Sequence, residues 1–241
     1  MPSTIPAATS ETEAALRVSE VFESVQGEGP NTGKPCLFIR LAHCNLTCAW
    51  CDTKYTWDFA NYDYASEVRV VPVSELARRV QSIASARLVI TGGEPLLQQR
   101  RLVELCAALD PSVFIEVETN GTVPPLPALT TRIDQWNVSP KLAHAGDEQS
   151  LRIRPPALTA FRDTGRAWLK LVVESDADLV EIAELVTRLD WPRKRVLLMP
   201  QAATRDELRA RLPEVEIWAA ERGFGFSTRL HVELWGGRRG V

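Results

Sequence analysis

The chain has 241 residues, enough for one large domain or two small ones, and its 45% hydrophobic content is ordinary for a globular protein. A formal net charge of -3 argues against wholesale nucleic-acid binding, and no run approaches the roughly 18 apolar residues of a membrane-spanning helix. The first residues carry no secretory signal pattern, so a disordered tail is expected over residues 1–16, before a single domain at 17–241. Five cysteines without an export signal predict a cytoplasmic protein that uses thiols for metal binding or catalysis.

Short apolar runs alternate with helical patterns along the chain. The runs predict strands, in chain order, at 35–42, 87–91, 113–118, 133–138, 168–174, 195–200 and 228–235. The helical patterns cover 72–84 with Ser74 as N-cap, 95–110 starting at Pro95, 156–165 ending on Gly165, 176–189 and 204–222. Continuous apolar strands between helices predict a parallel α/β sheet covered by helices. Six strands up to Met199 are too few for a closed barrel, which favours an open partial (β/α)6 barrel over a doubly wound sheet.

Polar stretches that contain Gly or Pro follow most of these strands. They are, in chain order, HCNLTCAWCDT, TGGEP, TNGT, SPK and MPQ. Because the carboxyl ends of parallel strands meet at one edge of a sheet, and active sites lie there, the five stretches predict one composite pocket.

The first stretch has the spacing C-x3-C-x2-C, formed by Cys44, Cys48 and Cys51. Thiolates suit zinc or iron–sulfur clusters, and a four-iron cluster normally takes four cysteines. With three, one iron keeps an open position where a small molecule can bind. The alternative is a structural zinc with His43 or Cys106 as fourth ligand. Cys36 and Cys106 lie in apolar patterns and are predicted to pack in the core.

The segment CNLTCAWC, with Trp50 before its last cysteine, and the later GGEP together resemble the radical S-adenosylmethionine (SAM) superfamily. The resemblance implies that the three cysteines hold a 4Fe-4S cluster and that SAM chelates its fourth iron. It also implies reductive cleavage of SAM to a 5′-deoxyadenosyl radical that removes a hydrogen atom from a substrate.

From about residue 18 onward, the chain resembles more narrowly the 7-carboxy-7-deazaguanine synthase family. The matching stretches are VFESVQGEGPNTGKPCLFIRLAHCNLTCAWCDT, ITGGEPLLQ, ETNGT, NVSPK, LMPQ and HVELWGGRRGV. The resemblance implies conversion of 6-carboxy-5,6,7,8-tetrahydropterin to 7-carboxy-7-deazaguanine with loss of ammonia. This radical ring contraction belongs to the biosynthesis of queuosine and related 7-deazapurines. A magnesium ion, an electron donor such as flavodoxin and a homodimer are also implied.

Two features near the first long strand suit a flat substrate that carries a carboxylate. Gly27 and Gly29 allow the backbone around Gln26 to approach a heterocycle, although a plain tight turn is the alternative. Arg40, at the end of a buried strand, could clamp a carboxylate with its guanidinium fork. The resemblance assigns substrate contacts to Val25, Gln26, Gly27, Arg40, Thr91 and Val241. Without it, the terminal WGGRRGV is a basic, frayed end.

The resemblance also implies the residues that bind SAM and magnesium. Those for SAM are Gly93, Glu94, Glu118, Ser139, Pro140, Lys141 and Gln201, and Thr53 is the magnesium ligand. Asn120 is the alternative to Glu118 for the ribose hydroxyls. Asp52 supports the magnesium site or caps a turn. His231 is expected in an edge strand, with a position facing the pocket as the alternative. No catalytic residue is assigned beyond the cluster and SAM.

Two other hypotheses stay open. A glycyl-radical activase acting on a protein would share the size and the cysteine spacing, but QGEGPNTG and FIR favour a small flat carboxylate. A module with a structural zinc would be no enzyme at all, and its metal would be needed for folding.

Overall fold

The computed structural model describes residues 13–241, and within them nine strands form one sheet. The strands are β1 (Ala15–Val25), β2 (Pro35–Leu41), β3 (Arg69–Pro72), β4 (Arg87–Gly92), β5 (Phe114–Thr119), β6 (Gln135–Val138), β7 (Ala167–Val173), β8 (Val196–Pro200) and β9 (Gly225–Phe226). The α-helices of this part of the chain are α1 (Tyr64–Glu67), α2 (Val73–Gln81), α3 (Gln99–Ala108), α4 (Pro127–Arg132), α5 (Gln149–Arg152), α6 (Pro155–Asp163), α7 (Asp178–Arg188), α8 (Arg205–Glu221) and α9 (Leu230–Trp235).

The strand order is β3-β1-β2-β4-β5-β6-β7-β8-β9. The strands from β2 through β8 in that order are parallel, and β1 pairs antiparallel with both β2 and β3. The sheet ends at β3 and β9, so it is not closed, and the predicted open parallel α/β architecture is confirmed. A doubly wound sheet reverses its strand order at a switch point. Here the parallel strands follow chain order, so that alternative is wrong.

Alternation along the strands divides the sheet into an apolar and a polar face. In β2, Leu37, Ile39 and Leu41 pack into the main core with the helices, whereas Arg40 points to the other face. In a strand, successive side chains face opposite sides of the sheet. The inner face therefore receives a polar residue from several strands in turn, namely Arg40, Thr91, Glu118, Asn137 and Lys170. Arg40 is the register partner of Thr91, and Glu118 that of Asn137, so these residues lie at similar depth.

The strand predicted at 228–235 is wrong, because this segment contains α9. Its apolar residues alternate like those of a strand, but the segment packs as a short helix against α8. Val232 is buried in a small cluster with Ala202 and Leu208. The amide of Leu230 donates to the carbonyl of Gly27 at 2.8 Å, which brings α9 to the loop after β1.

Two smaller predictions also need correction. Ser74 is not the N-cap of α2: Pro72 occupies that position, and the Ser74 hydroxyl bonds to Glu13 instead. The tail expected over residues 1–16 falls largely outside the described residues, and Ala15 and Leu16 begin β1, which was not predicted. The edge strand β3 was also missed. The remaining predicted elements are present, with ends shifted by a few residues. No helix in the described part of the chain is long and apolar enough to span a bilayer.

Candidate active site

A cavity of about 460 Å³ lies at the carboxyl ends of the parallel strands. Of the residues singled out from the sequence, it is lined by Val25, Gln26, Gly27, Arg40, Cys44, Cys48, Trp50, Cys51, Asp52, Thr53, Thr91, Gly93, Glu118, Asn120, Ser139, Lys141, Gln201, His231 and Val241. Glu94 and Pro140 are not part of the lining. Residues up to 216 positions apart in the chain therefore share one pocket, as the strand-end argument predicted.

The loop that carries the three cysteines is held from outside the pocket. Its Thr47 amide donates to Asp147 at 3.0 Å, and its Ala49 amide donates to the carbonyl of Ala145 at 2.9 Å. None of the cysteines forms a disulfide. Burial raises the pKa of Cys44 to about 11 and that of Cys48 to about 12. A bound metal centre lowers the pKa of such thiols, because it stabilises the thiolate directly.

The donor set fits an iron–sulfur cluster better than a single zinc ion. Within residues 13–241, no three His, Cys, Asp or Glu side chains converge as ligands of one ion. The cysteines of a cluster bind different irons and need not converge. The two candidates for a fourth zinc ligand, His43 and Cys106, have other contacts. The ring of His43 packs against Phe59 and Tyr64, and Cys106 belongs to the main core.

The glycine pair after β4 lets the second motif contact the cysteine loop closely. A Cβ on Gly93 would lie 2.2 Å from the carbonyl oxygen of His43, which no side chain tolerates. The Gly93 amide donates to Leu41 at 3.0 Å, and the Glu94 amide donates to His43 at 2.8 Å. The two motifs are thus joined through their backbones, immediately before Cys44.

Glu94 does not line the cavity, and its contact with SAM stays a prediction. Its carboxylate is fully buried and accepts hydrogen bonds from the Leu96 amide, the Thr119 hydroxyl and the Asn120 amide, at 3.0, 2.8 and 2.7 Å. Burial raises the pKa of Glu94, although these hydrogen bonds and Lys141 oppose the rise. The side chain ties the end of β4 to the end of β5.

Arg40 is oriented by a carboxylate on the neighbouring strand. Its Nε donates to Glu20 Oε2 at 2.8 Å, and the hydroxyl of Tyr55 donates to the same oxygen at 2.8 Å. In the described part of the chain no other hydrogen bond of the Arg40 side chain is formed, so its terminal nitrogens remain for a ligand. Burial opposes the charge, but Tyr55 and Glu20 outweigh it and raise the pKa of Arg40.

Three of the predicted residues form one hydrogen-bonded group. The hydroxyl of Thr91 donates to Glu118 at 2.8 Å. The side-chain nitrogen Nε2 of Gln26 donates to Glu118 at 3.3 Å and to the buried Glu116 at 2.6 Å. The side-chain oxygen Oε1 of Gln26 accepts from the backbone amide of Glu28 at 3.1 Å. Both ends of the Gln26 side chain are thereby fixed, and Glu118 lies beside Gln26 and Thr91.

A set of paired charges in the same cavity was not predicted from the sequence; Lys170, Glu28 and Arg229 are largely shielded from solvent, and Asp52 is half exposed. Lys170 pairs with Glu28, and Arg229 bridges Glu28 at 3.0 Å to Asp52. Burial would raise the pKa of Glu28, but Lys170 and Arg229 hold it well below its usual range. The partners are 142 and 201 residues apart, so no local pattern reveals them. The one available signal was Lys170 itself, a lysine inside the apolar strand WLKLVVE.

His231 lies on α9 and lines the cavity, which corrects its assignment to an edge strand. Its ring packs on Gly27, where a Cβ would approach Nδ1 to 2.1 Å. Burial lowers the pKa of His231. Gly27 is therefore required by a side chain that arrives from the far end of the chain.

The opposite wall carries Lys141, whose Nζ donates to the Ser139 hydroxyl at 3.1 Å and lies 5.6 Å from the ring centre of Trp50. Gln201 accepts from Arg211 at 2.7 Å through its side-chain oxygen, which leaves the amide nitrogen for the cavity. This wall offers an aromatic surface, a cation and polar donors beside the cysteine loop.

Comparison with known proteins identifies relatives along nearly the whole chain. A family model described as the radical SAM superfamily matches residues 39–147. The chain is 41% identical over 226 residues to the 7-carboxy-7-deazaguanine synthase of Pyrobaculum aerophilum, covering 93% of this chain and 97% of that protein. It is 36% identical to the synthase of Hyperthermus butylicus, covering 93% and 94%. The crystal structure of QueE from Escherichia coli matches with a TM-score of 0.66 and 27% identity, covering 90% and 95%.

Proposed function

Because the chain belongs to the 7-carboxy-7-deazaguanine synthase family of the radical SAM superfamily, we propose that it converts 6-carboxy-5,6,7,8-tetrahydropterin to 7-carboxy-7-deazaguanine with loss of ammonia. The reaction is the radical ring contraction on the route to queuosine and other 7-deazapurines. One observation carries the proposal: the cysteine loop, the Lys141 wall and the Arg40 wall face the same cavity. A cluster, SAM and a small carboxylate substrate can thus meet there.

The family implies a 4Fe-4S cluster and SAM as cofactors. Cys44, Cys48 and Cys51 are the residues that would hold the cluster. When bound, the cluster and SAM supply a 5′-deoxyadenosyl radical that abstracts a hydrogen atom from the substrate. The chain's own contribution is to bind both molecules, to align them and to exclude water.

We assign the SAM site to the wall beside the cysteine loop. Gly93 contributes backbone groups where no side chain fits, and Ser139, Lys141 and Gln201 supply polar contacts. Glu94 and Pro140 act indirectly, since they hold this backbone without lining the cavity. The ammonium of Lys141 lies over the ring of Trp50, so this wall sets a positive charge and an aromatic surface side by side.

The substrate site is assigned to the wall that Arg40 and Gln26 form. The free end of the Arg40 guanidinium would bind the substrate carboxylate in a two-point contact. Glu118 hydrogen-bonds to Thr91 and Gln26, so we move it from the SAM ribose to the N–H groups of the pterin. Val25, Gly27 and Val241 complete this wall.

Magnesium is assigned to Thr53, whose hydroxyl lies 3.6 Å from Cys51 Sγ at the cavity. The nearby carboxylates of Asp52 and Glu28 are already paired with Arg229. Magnesium keeps several waters and often uses substrate oxygens, so one protein oxygen is sufficient for such a site. Asp52 then supports the loop through Arg229.

Three further assignments rest on the family resemblance. A flavodoxin-type protein would deliver the electron, two chains would form a homodimer, and the enzyme would work in the cytoplasm. No nucleic-acid or membrane partner is proposed. Reduced flavodoxin should support turnover in place of dithionite. Light scattering after size-exclusion chromatography should give twice the chain mass, and a monomer would remove the dimer assignment.

The deciding experiment is anaerobic reconstitution followed by turnover. The protein should bind about four irons per chain, as one cubane cluster does. With SAM, reductant and magnesium, it should release 7-carboxy-7-deazaguanine, ammonia and 5′-deoxyadenosine from the pterin. SAM cleavage without pterin turnover would favour the activase. A colourless zinc protein that melts when a cysteine is replaced would favour the structural module.

A further inference from the structure

Arg239 connects the C-terminal segment of the chain to three separate elements. Its guanidinium lies over the ring of Tyr55, 3.5 Å from the ring centre. Its Nη2 and Nη1 bond to the two oxygens of Glu67 on α1, at 2.7 and 3.2 Å. Its Nε donates to Glu20 on β1 at 3.2 Å. One side chain thus engages a strand, a helix and the turn after the cysteine loop.

The Glu20 carboxylate is shared between this contact and Arg40. Its Oε1 accepts from Arg239, and its Oε2 accepts from Arg40 and from Tyr55. A change in the position of Arg239 therefore alters the contacts of the Glu20 carboxylate, which orients Arg40. The side chain of Glu20 is 14% exposed and that of Arg239 is 46% exposed, so the shared carboxylate is shielded while the arginine lies at the surface.

Residues 236–241 lie along the cavity beside this contact. Gly236 and Gly240 have φ values of 64° and 67°, a backbone region that favours glycine, and they turn the segment on either side of Arg239. The neighbouring Arg238 is exposed and forms no hydrogen bond or ion pair within the described part of the chain. Arg239 is hence the side chain that fixes the course of the segment.

We propose that Arg239 is a positioning residue that fastens residues 236–241 along the cavity and, through Glu20, sets the guanidinium of Arg40 for the substrate carboxylate. The proposal rests on the assignment of Arg40 to the substrate. A single exposed ion pair contributes little. A bidentate pair combined with a cation–π contact and a shared carboxylate holds one geometry much better, because all three need the same rotamer.

Two variants test the proposal, and a third is the control. Arg239→Ala removes the whole contact, whereas Glu67→Gln removes its charge partner and leaves every arginine in place. Arg101→Ala is the matched control, because Arg101 forms an exposed arginine–glutamate pair with Glu104 on α3, at 2.7 Å, and neither residue lines the cavity. All three lose an arginine–carboxylate pair on the surface, and none removes a core side chain.

For both test variants we expect the KM for the pterin to rise about tenfold, with kcat changed less than about twofold, as loss of a ground-state positioning contact predicts. SAM cleavage in the absence of pterin should be unchanged. The control should keep the wild-type KM. An unchanged KM in both test variants, or an equal rise in the control, would overturn the proposal.

A second readout needs no catalysis. Trypsin cleaves after Arg238, and the fastened segment should resist cleavage there. In Glu67→Gln, mass spectrometry should show cleavage after Arg238 several-fold faster than in the wild type, and Arg101→Ala should not show this. Equal rates in all three proteins would overturn the proposal. If the wild type fails to turn over the pterin, the proposed function fails, while the proteolysis still decides whether Arg239 holds the segment.

Discussion

The indole N–H of Trp57 points at the Sγ of Cys51, with 3.3 Å between the nitrogen and the sulfur. Hydrogen bonds to the sulfurs are among the factors that set the potential of an iron–sulfur cluster, because they stabilise the more negative reduced state. Trp57 lies outside the cysteine motif, on the turn that follows it.

Trp57→Phe should therefore make the cluster harder to reduce. We expect its midpoint potential to fall by tens of mV, on the order of the effect of one lost hydrogen bond to sulfur. The measurement is a redox titration followed by electron paramagnetic resonance. Trp168→Phe, on β7, is the control and should leave the potential unchanged. A potential in Trp57→Phe equal to that of the wild type would show that this bond does not reach the cluster.

Arg40→Lys keeps the positive charge but loses the planar fork. Since Lys cannot pair with Glu20 and also bind a carboxylate in a two-point contact, the KM for the pterin should rise about 10- to 100-fold. The affinity for SAM, measured by equilibrium binding to the reconstituted protein, should stay the same. Equal losses for both molecules would mean that Arg40 supports the pocket as a whole.

Lys170→Met should destabilise the protein. Breaking a buried pair costs up to about 3–5 kcal/mol in the free energy of unfolding when the remaining charge has no partner, and the cost here should be smaller because the largely buried Glu28 keeps Arg229. Urea unfolding at neutral pH measures the difference. Arg101→Met, which breaks an exposed pair with Glu104, is the control and should cost less than about 1 kcal/mol.

The ion pair between Lys170 and Glu28 also makes the free energy of unfolding depend on pH. The pKa of folded Glu28 lies below its unfolded value of about 4.3, so its stabilising contribution is complete above that value and is lost as the pH falls toward the folded pKa. Lys170→Met raises the folded pKa and reduces this contribution. The difference in the free energy of unfolding between wild type and variant should hence narrow as the pH falls below the raised pKa of Glu28 in the folded variant. A difference in the free energy of unfolding that stays constant down to pH 3 would contradict the role of Lys170 as the partner of Glu28.

Gly93→Ala should disrupt the junction between the two motifs. Its Cβ would meet the backbone of His43 at 2.2 Å, and backbone cannot swing aside as a flexible side chain can. We expect a lower melting temperature and fewer irons bound per chain after reconstitution. Gly237→Ala is the control for stability, because its Cβ would meet only the Ala203 oxygen, at 3.6 Å. A wild-type iron content in Gly93→Ala would show that the loop can shift without losing the site.

Substitutions at Thr53 distinguish the proposed magnesium site from the cluster site. Thr53→Val keeps the shape but removes the hydroxyl, so the stimulation of turnover by magnesium should be lost, while Thr53→Ser should retain it. Iron content and SAM binding should be the same in both variants. If Thr53→Val responds to magnesium as the wild type does, the ion binds elsewhere.

Much of this fold follows from local patterns. The continuous apolar runs predicted the six central strands, and their parallel order follows from the helices between them. The predictions fail where the pattern is short or one-sided. The alternation in LHVELW is that of a strand, but packing of Val232 against Ala202 and Leu208 selects a helix. Likewise β1 and β3, at the antiparallel edge, have no such continuous run.

The sequence by itself determined the chemistry of the cysteine motif, because C-x3-C-x2-C sets three thiols on one loop whatever surrounds it. It also determined which residues end the strands, and thus which would share a pocket. Only the tertiary structure decided which charged side chains pair around the pocket and which segments those pairs connect. Glu28 meets Lys170 and Arg229, and Glu20 meets Arg40 and Arg239, because the fold brings their strands and the C-terminal segment together at the cavity. Such pairs depend on distance in space, which spacing along the chain does not encode.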